Sequence, residues 1–188
     1  MDTIKPAIGV FCGSSFGSSP RFREIARTAG RLIGENGFSM VFGGGDVGLM
    51  GEAARAARAA GAPILGVLPD FLRYAEPPLR SGETIEIVPD FYSRKERMID
   101  RSDAFLVLPG GIGTLDELTE VLTIKNLGRH DKPILLVDEE FFAPLLALFE
   151  HYVANDFVSA NMMSLLQLFP TSEHAIDSLV QRLLPSSR

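Results

Sequence analysis

Six short apolar runs, separated by helical patterns and turn residues, constrain this chain more than any other feature. They occupy residues 7–11, 39–42, 63–67, 84–88, 104–108 and 133–137. Runs of four or five mostly apolar residues between helical patterns read as strands buried on both faces. The first is followed by a helix with Ser19 as its cap, Pro20 at its first position and Gly37 beyond its end. Further helices are expected over 51–60, near 94–101, over 114–127 and from about 171 to 184. The stretch 68–82 is irregular and proline-containing, which marks it as a functional loop, and everything after the sixth strand reads as helical. Strands alternating with helices over short connections pair in parallel and are covered on both faces. The expected fold is one α/β domain over residues 1–188, a doubly wound, mostly parallel, Rossmann-like sheet. Such sheets bind ligands beyond the carboxyl ends of their strands.

Composition narrows the ligand. With 46% hydrophobic residues and a mean hydropathy of +0.15, the chain can bury a core. A net charge of −6 argues against a nucleic-acid backbone as partner. No membrane is expected either: the richest apolar stretch, 141–149, contains Pro144 and ends in Glu150 and His151. The first residues lack a basic segment ahead of an apolar one, so a cytoplasmic location is expected. A single cysteine, Cys12, and the scattered His130, His151 and His174 offer no metal-ligand spacing, so neither a metal nor another cofactor is expected. Cys12 reads as a small buried residue rather than a nucleophile, and His130 as a turn residue rather than a base.

Three expected strands end in glycine- or serine-rich turns: CGSSFGSS from Cys12, GGGDVGLMG from Gly43 and PGGIGT from Pro109. All three should share one edge of the sheet. Glycine lets a ligand approach the backbone, and the amides of a following helix then face an anion. A phosphate-bearing ligand is the favoured reading. Residues 43–48 also satisfy G-x-G-x-x-G, with Asp70 at roughly the spacing of a ribose-binding acid, so a dinucleotide site is a minor alternative. Thr114 and Glu117 match a capping box, as do Ser93 and Glu96. The second box would put Arg94 and Lys95 in a first helical turn, where the dipole disfavours cations unless an anion lies nearby.

PGGIGTLDE, preceded by SRKERM, resembles the PGGxGTxxE and RK signatures of the Lonely Guy family, the cytokinin riboside 5′-monophosphate phosphoribohydrolases often labelled lysine decarboxylases. The similarity extends to GVFCGSS, GGGDVGLMG, GVLP and LGRHDKPILL. It implies hydrolysis of the N-glycosidic bond of a nucleoside 5′-monophosphate, either AMP or a cytokinin riboside 5′-monophosphate. By resemblance Arg94 and Glu117 form the catalytic pair. Ser14, Gly44, Gly45, Lys95, Gly110, Gly111, Gly113 and Thr114 would bind the ribose phosphate, with Glu76 and Thr123 as further substrate contacts. A homodimer is implied as well, for which the apolar helices around 121–127 and 141–149 are candidate interfaces, although core packing explains the same pattern. Asp46 and Ile124-Lys125-Asn126 depart from the family pattern, and a carboxylate beside a phosphate loop has to be paired or turned away. The alternative from another class is a non-catalytic carrier or sensor of a phosphorylated nucleotide or cofactor. DNA binding ranks below both because of the acidic balance. A pyridoxal-dependent decarboxylase would need a desolvated lysine that nothing here marks.

Overall fold

The computed structural model describes residues 5–74 and 84–184. Seven strands form one sheet: β1 (Ala7–Phe11), β2 (Ser39–Phe42), β3 (Ile64–Pro69), β4 (Thr84–Val88), β5 (Ala104–Val107), β6 (Ile134–Val137) and β7 (Gln167–Phe169). Their order is β4-β3-β2-β1-β5-β6-β7, and every pairing is parallel. Among the described residues the α-helices are α1 (Pro20–Glu35), α2 (Gly48–Ala59), α3 (Phe91–Asp100), α4 (Ile112–Asn126), α5 (Glu139–Ala154) and α6 (Ser172–Leu183).

Successive residues of each inner strand point to opposite faces, so two cores form. Ile8 and Val10 of β1 join Leu106 of β5 against α1, α2 and α6. Phe11 joins Phe105 and Val107 against α3, α4 and α5. The central strands need apolar residues at every position because both of their faces are covered. The doubly wound expectation is met.

Several local expectations are corrected. β3 continues through Pro69 and passes into a 3-10 turn at Asp70–Leu72, so the irregular stretch begins later than residue 68. Helix α2 starts at Gly48, α3 at Phe91 and α4 at Ile112, each earlier than the patterns indicate. The cap of α3 is Asp90, whose Oδ1 accepts from Ser93 N at 2.8 Å, so Ser93 and Glu96 form no capping box. Arg94 and Lys95 are therefore the fourth and fifth residues of α3 rather than part of its first turn. Gly111 precedes α4 and supplies no capping side chain, so the Thr114–Glu117 box is absent too. The chain after β6 is not all helix: β7 pairs with the outer edge of β6, three residues long and too short to show a period. Of the candidate interface helices, Val121, Leu122, Phe142 and Phe149 are buried in the core, so packing accounts for most of that pattern.

Candidate active site

Strand order reverses between β1 and β5, and the helices that follow them, α1 and α4, pack on opposite faces of the sheet. Doubly wound sheets place their ligand sites at this point. A cleft of about 260 Å³ opens there, lined by Ser14 and Ser15 after β1, Arg94 of α3, and Gly111, Thr114 and Glu117 around the start of α4.

Arg94 is carried in by α3 and is 9% exposed. Its guanidinium lies against the backbone of Gly43, where a β-carbon would stand 1.9 Å from Nη2. Arg94 Nη2 is 3.6 Å from Glu117 Oε1, an ion pair too long for a hydrogen bond. Both side chains are close to 90% buried. Arg94 Nε is buried and has no hydrogen-bond partner among the described residues. A buried, unsatisfied guanidinium N–H costs free energy until something accepts from it. The first amides of any helix lack intrahelical partners, and at α4 neither a capping side chain nor an acid in the first turn answers them. That end attracts an anion. Thr114 and Glu117 are three residues apart on α4 and both face the cleft. They are offset by about 4.5 Å along the helix axis. An anion held at Thr114 thus has its neighbouring group beside Glu117.

The first and third glycine loops are tied together: Gly13 N donates to Pro109 O at 3.1 Å. The second loop behaves differently from expectation. Leu49 N and Met50 N, at the start of α2, donate to Ser15 O and Gly13 O at 3.4 and 3.2 Å. The amides of α2 are thereby spent on the serine loop rather than offered to a ligand. Gly48 has φ +53°, and a β-carbon on it would meet Ser14 C at 2.2 Å. Gly44 packs on Val67 and Leu68, and Gly45 is buried; neither lines the cleft. The loop of residues 43–48 backs Arg94 and Ser14 from behind. Asp46 pairs with Arg55 of α2, which answers the charge that its position raised.

Gly110, Gly111, Gly113 and Thr114 come together at the α4 turn with Ser14 opposite. Lys95 does not line the cleft. Its Nζ is 3.0 Å from Asp116 Oδ2 and 2.5 Å from Glu120 Oε2, clamping α3 to α4. Burial opposes its charge, but the bonds to Glu120 and Asp116 outweigh that and raise its pKa. Thr123 is exposed further along α4 and is not part of the cleft lining. Glu76 lies outside the described residues. Sequence reasoning missed Ser15, Met50, Leu72, Phe91 and Ile112 as lining residues. Ile112 and Phe91 carried a usable signal, being large apolar residues set inside polar motifs.

Cys12 also lines the cleft, where burial and then the Glu117 carboxylate push its thiol far up. It is no thiolate at neutral pH. His130 Nδ1 accepts from Lys132 N at 3.2 Å while Nε2 donates to Val121 O at 3.1 Å. That pairing requires a neutral ring in a structural turn, as its setting in GRHDKP indicates. Among the described residues no group of three or more His, Cys, Asp or Glu could hold a metal ion.

Residues 50–179 match the family model described as "possible lysine decarboxylase". A probable cytokinin riboside 5′-monophosphate phosphoribohydrolase of Oryza sativa subsp. japonica is 39% identical over 93% of this chain and 78% of its own. The cytokinin riboside 5′-monophosphate phosphoribohydrolase of Rhodococcoides fascians is 39% identical over 81% of this chain and 78% of its own. A molybdenum cofactor binding protein from Rippkaea orientalis superposes with a TM-score of 0.74 at 22% identity, covering 97% of this chain and 99% of its own. The molybdenum cofactor carrier protein of Chlamydomonas reinhardtii gives 0.73 at 22%, over 96% and 99%. At that identity the likeness speaks for the fold.

Proposed function

The chain belongs to the "possible lysine decarboxylase" family, in its Lonely Guy branch of phosphoribohydrolases, and on that premise we propose that it hydrolyses the N-glycosidic bond of a nucleoside 5′-monophosphate to free base and ribose 5-phosphate. One observation carries the reading: the Arg94–Glu117 pair stands in the same cleft as the uncapped start of α4.

The 5′-phosphate binds the first amides of α4 with the Thr114 and Ser14 hydroxyls. The ribose then lies against Glu117. As the bond from C1′ to the base nitrogen breaks, its electron pair leaves with the base and positive charge builds on the ribose. The Glu117 carboxylate stabilises that charge. Water adds to C1′, and the proton it loses balances the one the departing base acquires. Arg94 keeps its proton throughout, binding substrate and orienting Glu117 through their ion pair rather than serving as the acid. AMP and an isoprenylated adenosine monophosphate are the substrates to compare. The decarboxylase name fits poorly. No lysine lines the cleft, and Lys95 is held charged by two acids, the opposite of a Schiff-base lysine.

Glu117 is the sixth residue of α4, beyond the third helical position that a capping box uses, so Glu117→Gln tests chemistry rather than helix formation. With both nucleotides and free base followed by chromatography, kcat should fall by about a hundredfold or more, as when an electrostatic stabiliser is removed. Nucleotide should still bind. Tight binding by the wild type with no base released would sink the hydrolase reading and favour a carrier. We also propose a cytoplasmic homodimer, with Tyr92 and Ile112 among its exposed apolar contacts. Light scattering should give twice the chain mass of 20.5 kDa, and a value of one chain would refute the dimer.

A further inference from the structure

Residues 14–18 are exposed, yet Ser14 and Ser15 form one wall of the cleft. A wall built from exposed loop needs an anchor outside the site. Two α2 amides hold the carbonyls of Gly13 and Ser15, the second over a long 3.4 Å. Beyond Ser15 the restraint passes to a side chain. The guanidinium carbon of Arg23 lies 3.9 Å from the centre of the Phe16 ring. Arg23 Nε in turn stands 3.7 Å from Glu52 Oε2.

Glu52 belongs to α2, and its side chain is only 14% exposed. It gathers two further guanidinium groups, Arg27 Nη2 at 2.8 Å and Arg55 Nη2 at 3.2 Å. Arg55 continues to Asp46 in the second glycine loop. Burial opposes the Glu52 charge, but hydrogen bonds from Arg27 and Arg55 prevail and hold its carboxyl below the usual range. Glu52 is therefore a fixed anion between α1 and α2, and it pairs with the Arg23 that lies over Phe16. Across a recess of about 140 Å³, Phe16 faces Gly110 and Gly111 at the start of α4. Ser15 of the serine wall borders the same recess.

We infer that Phe16, Arg23 and Glu52 form a latch that sets the serine wall over the α4 N-terminus, making Arg23 a positioning residue for the phosphate end of the ligand. The inference rests on the nucleotide reading given above. Arginine suits the task because its planar group stacks on a ring while its edge meets a carboxylate.

Calorimetric titration with ribose 5-phosphate tests it, with a thermal melt of each variant. Phe16→Leu and Arg23→Gln should each weaken binding by about two- to fivefold, the scale of an exposed cation–π contact. The double variant should lose no more than either single one, because both break the same latch. Phe16→Tyr keeps the ring and should bind like the wild type. Arg27→Gln removes the same charge from the same carboxylate without touching Phe16, and should also leave binding unchanged. The latch is overturned if folded Phe16→Leu and Arg23→Gln bind like the wild type. It is overturned equally if Arg27→Gln weakens binding as much as Arg23→Gln, since bulk charge would then explain the effect. A wild type that binds neither ribose 5-phosphate nor AMP overturns the nucleotide reading and the latch together, and shows itself before any substitution is made.

Discussion

Gly43 shows how much a single residue decides here. A methyl group at that position would overlap the Arg94 guanidinium and crowd Met50 Sδ at 2.9 Å. Gly43→Ala should therefore displace Arg94 and cost stability, by about 1–3 kcal/mol for an overpacked site. Base release should fall in step, and kinetics beside a chemical denaturation curve would check both; full activity would mean that Arg94 can act from elsewhere. His130 sets a pH dependence. Burial holds its pKa below the ordinary 6.5. The unfolded chain thus takes up a proton that the folded chain refuses. The contribution of His130 to stability is full above pH 6.5 and is lost as pH falls through its lowered folded value. Denaturation at pH 7.5 and 5.5 should show a larger loss for the wild type than for His130→Gln. Arg94 and Glu117 were legible as single residues because their motifs are specific. The role of Gly43 was not, since its neighbour arrives from 51 positions away in the chain.

Helix α4 was predicted to start at Thr114 because Thr-x-x-Glu satisfies the capping pattern. It starts at Ile112 because Gly111 is extended, with φ −103° and ψ −151°, and its carbonyl takes the first helical bond, from Leu115 N. The Gly13–Pro109 bond pins the turn just before it, and no local pattern reports that contact. An open position follows at Gly113, where a β-carbon would meet nothing within 4 Å. Gly113→Ala should hold or raise stability, by up to about 1 kcal/mol from helix propensity. It should still raise KM, because the methyl group enters the ligand's space; an unchanged KM would place the phosphate elsewhere. Helix α3 gives the complementary case. Asp90→Ala removes its cap and should cost about 1 kcal/mol in denaturation. If Asp90 does not cap α3 in solution, the variant will be as stable as the wild type.

Across the whole molecule, the sheet brings residues 12–15, 94 and 111–117 to one edge. Lys95 then serves the assembly more than the ligand, joining α3 to α4 through Asp116 and Glu120. Lys95→Met should lower stability by about 1–3 kcal/mol as two acids lose their cation, while affinity for ribose 5-phosphate stays put. A selective loss of that affinity would return Lys95 to the phosphate. The alternation of apolar runs with helical patterns determined the α/β class and its parallel pairing, because strands joined through helices have few other ways to bury both faces. The motifs likewise singled out Arg94, Glu117 and the α4 turn, which the fold brings to one cleft, because each motif is a run of consecutive residues. Only the tertiary structure decided the strand order, the added β7, the turning of Lys95 towards α4 and the spending of α2's amides on the serine loop. Each of these depends on which distant backbone group fills a vacant hydrogen bond or charge, and no local stretch of chain contains its own long-range partner.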